Sequence, residues 1–309
     1  MINFVGRRNW YFLISGVIIL IGVVSLIVFG LRWGIEFTGG SMITVGFEQE
    51  VAQEELRAVM AELGYDDAII QKTEVGDFLV RTTLLSDEDM MLIRETLNDR
   101  FGEEPTVSEP YAVSESIGKE ITGYASIAVF VAAIGILLYV TWAFRRLKRP
   151  FRFGVCAIVA LVHDVLIVLG IFSLLGVFLD IEINAMFITG VLTVIGYSVN
   201  DTIVVFDRIR ENMARSTGSP LETTVNNSIM DTIGRSLNTS LTTLFVLLAL
   251  FLLGGVTIHN FVLVLLIGVI VGTYSSICIA SQLLVVWENG EFGRLFRRIM
   301  PKRVPVRGG

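Results

Sequence analysis

Residues 154–178 read GVCAIVALVHDVLIVLGIFSLLGVF. Apart from His163 and Asp164 near its middle, this stretch holds no charged or imidazole side chain. At about 1.5 Å of rise per residue, a helix of this length crosses a hydrocarbon core of ~30 Å. Five further segments of the same kind lie at 11–31, 121–143, 185–206, 236–257 and 261–286. The whole chain agrees with them: its 309 residues are 53% hydrophobic and only 17% charged, against about 25% charged in soluble domains. That balance argues against a soluble enzyme, a nucleic-acid binder, a coiled coil or a disordered chain. It predicts a polytopic α-helical membrane protein with six transmembrane helices. Cys156 and Cys278 both fall inside apolar runs, so they read as small packing residues rather than as a disulfide or a zinc site.

The net charge of −6 conceals an asymmetry. Residues 33–118 contain 19 of the 30 acidic residues and 5 of the 24 basic ones, a net of −14. The remainder is therefore basic, with 19 bases and 11 acids, a net of +8. These bases sit in short connections. Arg7 and Arg8 precede the first span; Arg145, Arg146, Lys148, Arg149 and Arg152 lie between the second and third; Arg208, Arg210 and Arg215 follow the fourth. Arg294, Arg297, Arg298, Lys302, Arg303 and Arg307 form the tail, whereas the connections at 179–184 and 258–260 have none. Basic and bare connections alternate, which predicts that both termini are cytoplasmic and that the acidic segment is external. Trp10, Trp33, Trp142 and Trp287 all fall at span ends, where aromatic rings anchor against membrane lipid. The first span is too long for the apolar part of a signal peptide and lacks a small-residue cleavage site, so it reads as an uncleaved anchor. Outside the membrane edges there is no basic patch with interleaved aromatics, so no nucleic-acid partner is expected.

The resulting organisation is a first helix over 1–31, an external domain over 32–118, a five-helix region over 119–290 with a cytoplasmic loop at 207–233, and a basic tail over 291–309. In the external domain residues 41–47 alternate like a strand. Residues 51–63 place Val51, Leu56, Val59, Met60 and Leu63 at helical spacing, and 87–102 do the same with Met90, Met91, Ile93, Leu97 and Phe101. Residues 68–74 and 78–84 read as two further strands, and 106–113 as a last one. The order β-α-β-β-α-β predicts a small α+β, ferredoxin-like domain. It contains no histidine and no nucleophile–base set, which favours a binding or mechanical role over catalysis.

Ionisable residues inside a membrane cost roughly 2.5–3.5 kcal/mol each on insertion scales, and so mark function. His163 and Asp164 occupy the middle of the third span. Asn200 and Asp201 interrupt the fourth, where Tyr197, Ser198, Asp201 and Arg208 share one side. Arg235 opens the fifth, where it shares a side with Asn238, Thr239 and Thr242. Both sides are expected to face the bundle interior. A carboxyl poised between desolvation and a nearby cation can load and release a proton, which makes Asp201 an ion-coupling candidate with Arg235 as its partner. Other readings stand beside these. Arg235 has Asp231 four residues earlier as a local partner, Asp201 has Asn200 or Ser198 as hydrogen-bond partners, and His163–Asp164 is either a buried hydrogen-bonded pair or a proton relay. Ser219-Pro220-Leu221-Glu222 has the pattern of a capping box opening a cytoplasmic helix. Gly268 and Gly272, continued by Ser276 and Ala280, form a small-residue packing face. Gly34, Gly39 and Gly40 at the membrane exit are either hinges or a tight turn.

Four segments stand out: Gly34-Ile-Glu-Phe-Thr-Gly-Gly40, Val194-Ile-Gly-Tyr-Ser-Val-Asn-Asp-Thr-Ile-Val-Val-Phe-Asp-Arg-Ile-Arg-Glu-Asn212, Gly234-Arg-Ser-Leu-Asn-Thr-Ser-Leu-Thr-Thr243 and Gly272-Thr-Tyr-Ser-Ser-Ile277. They resemble the SecF family, the smaller membrane subunit of the SecDF auxiliary complex of protein export. The resemblance extends over essentially the whole chain. It implies an RND-type subunit of the cytoplasmic (inner) membrane that pairs with SecD. Together they would help draw a translocating unfolded polypeptide from the SecYEG channel, using a gradient of H⁺, or of Na⁺ as in some relatives. The same resemblance places the ion step at Asp201 and Arg235, with no cofactor and no enzymatic activity. The competing classes are one half of an RND-type exporter of small molecules or lipids, and a passive scaffold for other Sec subunits.

Overall fold

The computed structural model describes residues 2–73, 76–102, 105–215 and 218–291. After a 3₁₀ turn at Val5–Arg7, the chain runs through α1 (Arg8–Val28), the single turn α2 (Ile35–Thr38), β1 (Gly40–Gly46), α3 (Gln53–Glu62), β2 (Ile69–Lys72), β3 (Phe78–Thr82) and α4 (Asp87–Phe101). Then come β4 (Thr106–Val107), β5 (Tyr111–Val113), α5 (Glu115–Ala143), α6 (Pro150–Leu179), α7 (Ala185–Arg215), α8 (Leu221–Leu253) and α9 (Val256–Ser275). A π-helical turn at Ser276–Ala280 leads into α10 (Ser281–Glu288). Among the described residues six helical stretches are long and apolar enough to cross a membrane. The expected basic tail lies, apart from Glu291, outside the described residues.

Local chemistry sets the ends of these helices. Pro150 occupies the first position of α6, where its missing N–H costs nothing. Asn184 caps α7, its Oδ1 accepting from the Phe187 amide at 3.0 Å. The bounds differ from expectation in two places. Two consecutive glycines, Gly254 and Gly255, stop α8 at Leu253 rather than at 257, so residues 258–260 belong to α9 and not to a connection. The expected capping box at Ser219–Glu222 does not form. Pro220 stands at the N-cap with no side-chain cap bond, and Glu222 Oε1 accepts instead from Asn289 at 2.7 Å. The fifth span and the segment that precedes it are therefore one helix of 33 residues.

The chain divides into two compact units. The first gathers the described residues up to Gly30, Val129–Leu179 and the described residues from Thr189 onward. Its helices approach closely where small residues line a crossing. A Cβ on Gly170 would lie 2.6 Å from the Gly22 Cα, and one turn along that crossing the Ser25 and Ser173 hydroxyls meet at 2.8 Å. Gly268 sits against Val194, and a Cβ on Gly272 would come within 2.9 Å of the Ser198 Cβ. The small-residue stripe of α9 is thus the packing face that its sequence predicted, and the helix it packs on is α7. Cys156 and Cys278 are free thiols buried in this unit.

The second unit comprises Leu31–Ala128 and Asp180–Ile188. Its antiparallel strands run in the order β2-β3-β1-β4, with β5 also pairing β1. That is the split β-α-β arrangement the sequence predicted. Ile43, Val45, Leu56, Val59, Met60, Ile70, Phe78, Val80, Ile93 and Leu97 fill its core. Two details depart from expectation. Met91 is 66% exposed, because it lies about 100° around α4 from the inward row Met90, Ile93 and Leu97. The single strand expected over 106–113 is two short ones. Thr44 bonds the Ser108 side chain at 2.9 Å, and Pro110 has no N–H for a ladder. Residues 180–188 dock on this unit and do not hang as a bare connection. Ile183 N–H donates to the Arg32 carbonyl at 2.7 Å and its own carbonyl accepts from Gly34 at 2.8 Å. Arg81 pairs with the buried Glu182, and Arg32 with Asp180.

Candidate functional site

The polar residues at the centre of the helical unit divide into two carboxyl sites and one open face. Asp164, halfway along α6, is 1% exposed. Its Oδ1 faces His163 Nδ1 at 2.9 Å, while its Oδ2 accepts from Ser198 Oγ at 2.5 Å and from Ser275 Oγ at 2.7 Å. Three helices therefore converge on one carboxylate. Ser198, grouped with Asp201 from helical spacing, serves Asp164 instead, because its side chain points from α7 toward α6 and α9.

Asp201 lies on α7 and faces α8. Its Oδ1 accepts from Ser236 Oγ at 2.6 Å. Its Oδ2 is buried and has no hydrogen-bond partner among the described residues. Ser276 is a neighbour of this carboxyl, and its hydroxyl meets Thr202 Oγ1 at 2.9 Å. Neither Asn200, which is exposed, nor Ser198 bonds it. Tyr197 OH donates to Ser240 Oγ at 3.2 Å, and Ser240 meets Thr273 at 2.6 Å. The consecutive serines Ser275 and Ser276 thus stand at the two carboxyls, one at each. They sit where α9 passes into the π turn, and such turns recur at functional sites. The extra residue shows in the i+5 bond of Ser281 Oγ to the Ser276 carbonyl, at 2.8 Å.

Arg235, Asn238, Thr239 and Thr242 do share one side of α8, but that side is exposed in this chain. The inward side of α8 carries Ser236, Ser240 and Leu247. The expected inward orientation of Arg235 is therefore corrected: it makes no ion pair with Asp201. The local alternative fails too, because Asp231 is taken by Arg208 at 2.8 Å and Asn212 at 3.1 Å. The helix is polar on two sides, so spacing groups its residues correctly without saying which side turns inward. The inward hydroxyls Ser236, Ser240, Thr273, Ser275 and Ser276 were the missed members of the site. Their signal was the recurrence of small polar residues at three- and four-residue spacing.

In the α+β unit Gly39 and Gly40 have φ of +79° and +134°, and a Cβ on Gly40 would lie 2.5 Å from the Thr82 carbonyl. They form the tight turn into β1. Gly34 has ordinary φ and precedes α2, with Ile183 O 3.0 Å from where its Cβ would stand.

Fold and site together define a multi-pass α-helical membrane protein with two hydroxyl-held carboxyls in its bundle and a small α+β unit between its first two long helices. Residues 93–290 match the family described as "Protein export membrane protein SecD/SecF, C-terminal", and residues 24–51 match the "SecD/SecF GG Motif". The chain belongs to the SecD/SecF protein-export family, and relatives that it matches over nearly their whole length are named as SecF subunits. It is 45% identical to "Protein translocase subunit SecF" of Thermobaculum terrenum, covering 98% of this chain and 99% of that one. Its identity to the protein of the same name from Anaerolinea thermophila is 42%, over 96% and 98% of the two chains. Among solved structures it is similar to a crystal structure of SecDF from Thermus thermophilus, with a TM-score of 0.83 and 38% identity. That match covers 93% of this chain and 39% of the SecDF chain.

Proposed function

We propose that this chain is the SecF subunit of an ion-driven complex that promotes protein translocation through the Sec channel, with Asp201 as its ion-coupling carboxyl. The observation that carries this reading is the state of the Asp201 carboxyl. One oxygen is held by Ser236, and the other is buried and unbonded among the described residues. A group left half-satisfied in a helix bundle is a poor structural element and a good place for a proton or a small cation to bind and leave. The second support is the exposed face of α8. Arg235, Asn238, Thr239 and Thr242 lie among Leu237, Leu241 and Phe245, which are also exposed. A polar, charged face at membrane depth requires cover by protein. SecD is the partner we assign to it, since relatives carry both subunits in one SecDF chain.

Entry of an ion at Asp201 changes the charge between α7 and α8 and repacks them. A proton crossing about 100 mV supplies about 2.3 kcal/mol, which biases a two-state equilibrium about fiftyfold. The cycle drives the external α+β unit to hold and release an unfolded polypeptide leaving SecYEG. Both termini are cytoplasmic in this reading, and the transported ion is H⁺, with Na⁺ as the alternative. Export of a secreted reporter tests it, in cells lacking the native subunit but holding SecD. Asp201→Asn at equal membrane abundance is expected to abolish the stimulation while the complex still assembles. Export at the wild-type rate would refute the ion-coupling role and favour a passive scaffold.

A further inference from the structure

We propose that His163 and Asp164 form a second proton-binding site in the helix bundle, the proton being taken up at His163 Nε2 with Asp164 as counter-ion. The argument begins with which atoms are used. Both Asp164 oxygens are engaged, by His163, Ser198 and Ser275. In the ionised state of Asp164, the oxygen facing Nδ1 can only accept, so Nδ1 carries the ring proton and Nε2 is left with a bare lone pair. His163 is 5% exposed, and its Nε2 is buried without a hydrogen-bond partner among the described residues. A purely structural buried pair has its polar atoms satisfied; this pair keeps one basic atom open.

The surrounding charge points the same way. Tyr274 of α9 lies over the His163 ring at 6.2 Å between centroids. Its hydroxyl accepts from Ser15 and donates to the Tyr11 carbonyl, both of α1 and both at 3.1 Å. Cys278 lies one turn beyond Tyr274, and Asp201 is one turn along α7 from Ser198. None of these groups is basic. Arg152, the basic residue of α6 itself, is held near the start of that helix by Glu288 of α10, at 3.0 Å. A deprotonated pair therefore carries an uncompensated charge of −1 at the middle of a membrane helix, an arrangement that asks for a cation. The open atom is an imidazole nitrogen, a base for a proton and a poor ligand for a hard cation such as Na⁺. In the uptake step one N–H bond forms at Nε2, using a proton delivered from the aqueous phase, and no bond within the pair breaks. The pair passes from −1 to neutral as an imidazolium–carboxylate couple. The two carboxyl sites share adjacent serines, since Ser275 bonds Asp164 and Ser276 borders Asp201.

The place of this site in a transport cycle rests on the ion-coupled reading above; its protonation does not. The chain has only two histidines, His163 and His259, so ring-¹⁵N-histidine labelling of the full chain in lipid nanodiscs gives two resolved sites. Nitrogen NMR is then recorded between about pH 5 and 9. At the alkaline end His163 is expected as the Nδ1–H tautomer, and on acidification as a doubly protonated ring. Asp164→Asn is expected to lose the doubly protonated signal across that range, with His259 unchanged. Asp201→Asn is expected to keep it, so failure at Asp201 and failure here read out separately. A His163 that stays neutral throughout, or that carries its proton on Nε2 at the alkaline end, would overturn the proposal. In the export assay His163→Gln, which retains an amide donor for Asp164, is expected to lose the stimulation. Export at the wild-type rate would remove the site from the cycle and overturn the proposal as a coupling element.

Discussion

Gly170→Ala should separate two helices of the membrane unit. The added Cβ would stand 2.6 Å from the Gly22 Cα, whereas carbon atoms pack at about 3.5–4.0 Å. The obstacle is backbone, so no side chain can turn aside, and α1 must retreat from α6 by about 1 Å. Overpacking of this kind costs ~1–3 kcal/mol. The same retreat stretches the bond between the Ser25 and Ser173 hydroxyls, now 2.8 Å, and such interhelical bonds average about 0.6 kcal/mol. Alanine returns up to about 1 kcal/mol through its helix propensity. The net expectation is a loss of about 1–2 kcal/mol. Gly16→Ala on the same α1 provides the control, because nothing lies within 4 Å of its added methyl; it should be neutral or mildly stabilising. The measurement is loss of helicity during graded SDS denaturation of the purified chain in mild detergent. If Gly170→Ala unfolds at the same SDS fraction as Gly16→Ala, the close crossing of α1 and α6 is wrong.

Arg81→Met removes the guanidinium from the buried Glu182 and should destabilise the α+β unit by ~3 kcal/mol; the double variant with Glu182→Leu should recover most of that in urea unfolding. Asp89, at the start of α4, accepts from the Ser86 backbone N–H, which holds its carboxyl below the ordinary value. A lowered folded value means that this stabilisation is present above the unfolded carboxyl's pKa of about 3.9 and disappears as pH falls through the folded one. Asp89→Ala should accordingly lower the urea midpoint at neutral pH and matter much less in acid. Arg235→Ala removes an exposed side chain with no ion pair among the described residues, so the isolated chain should unfold within about 0.5 kcal/mol of wild type. The same change should lower the yield of complex co-purified with SecD, and an undiminished yield would count against the α8 face as the partner surface.

The chain's own chemistry determined most of the architecture. Apolar runs long enough for a bilayer leave no other fold for 154–178, and the period switching from helical to alternating over 41–113 is enough to lay out a split β-α-β sheet. That α9 packs through its small-residue side was legible because a row of glycines and serines has few other uses in a membrane helix, whereas its partner α7 was not. Tertiary structure decided what periodicity leaves degenerate. Spacing places Arg235, Asn238 and Thr239 on one side of α8 but is silent on whether that side or the Ser236–Ser240 side turns inward, since both are polar. It likewise groups Ser198 with Asp201, three residues apart, although the two side chains diverge to α6 and α8. The pairing of Asp164 with Ser198 and Ser275 joins residues 34 and 111 positions apart, and the docking of residues 180–188 beside Arg32 and Arg81 spans more than a hundred. Contacts of that range depend on how whole helices and strands are stacked, and no local pattern in the chain records them.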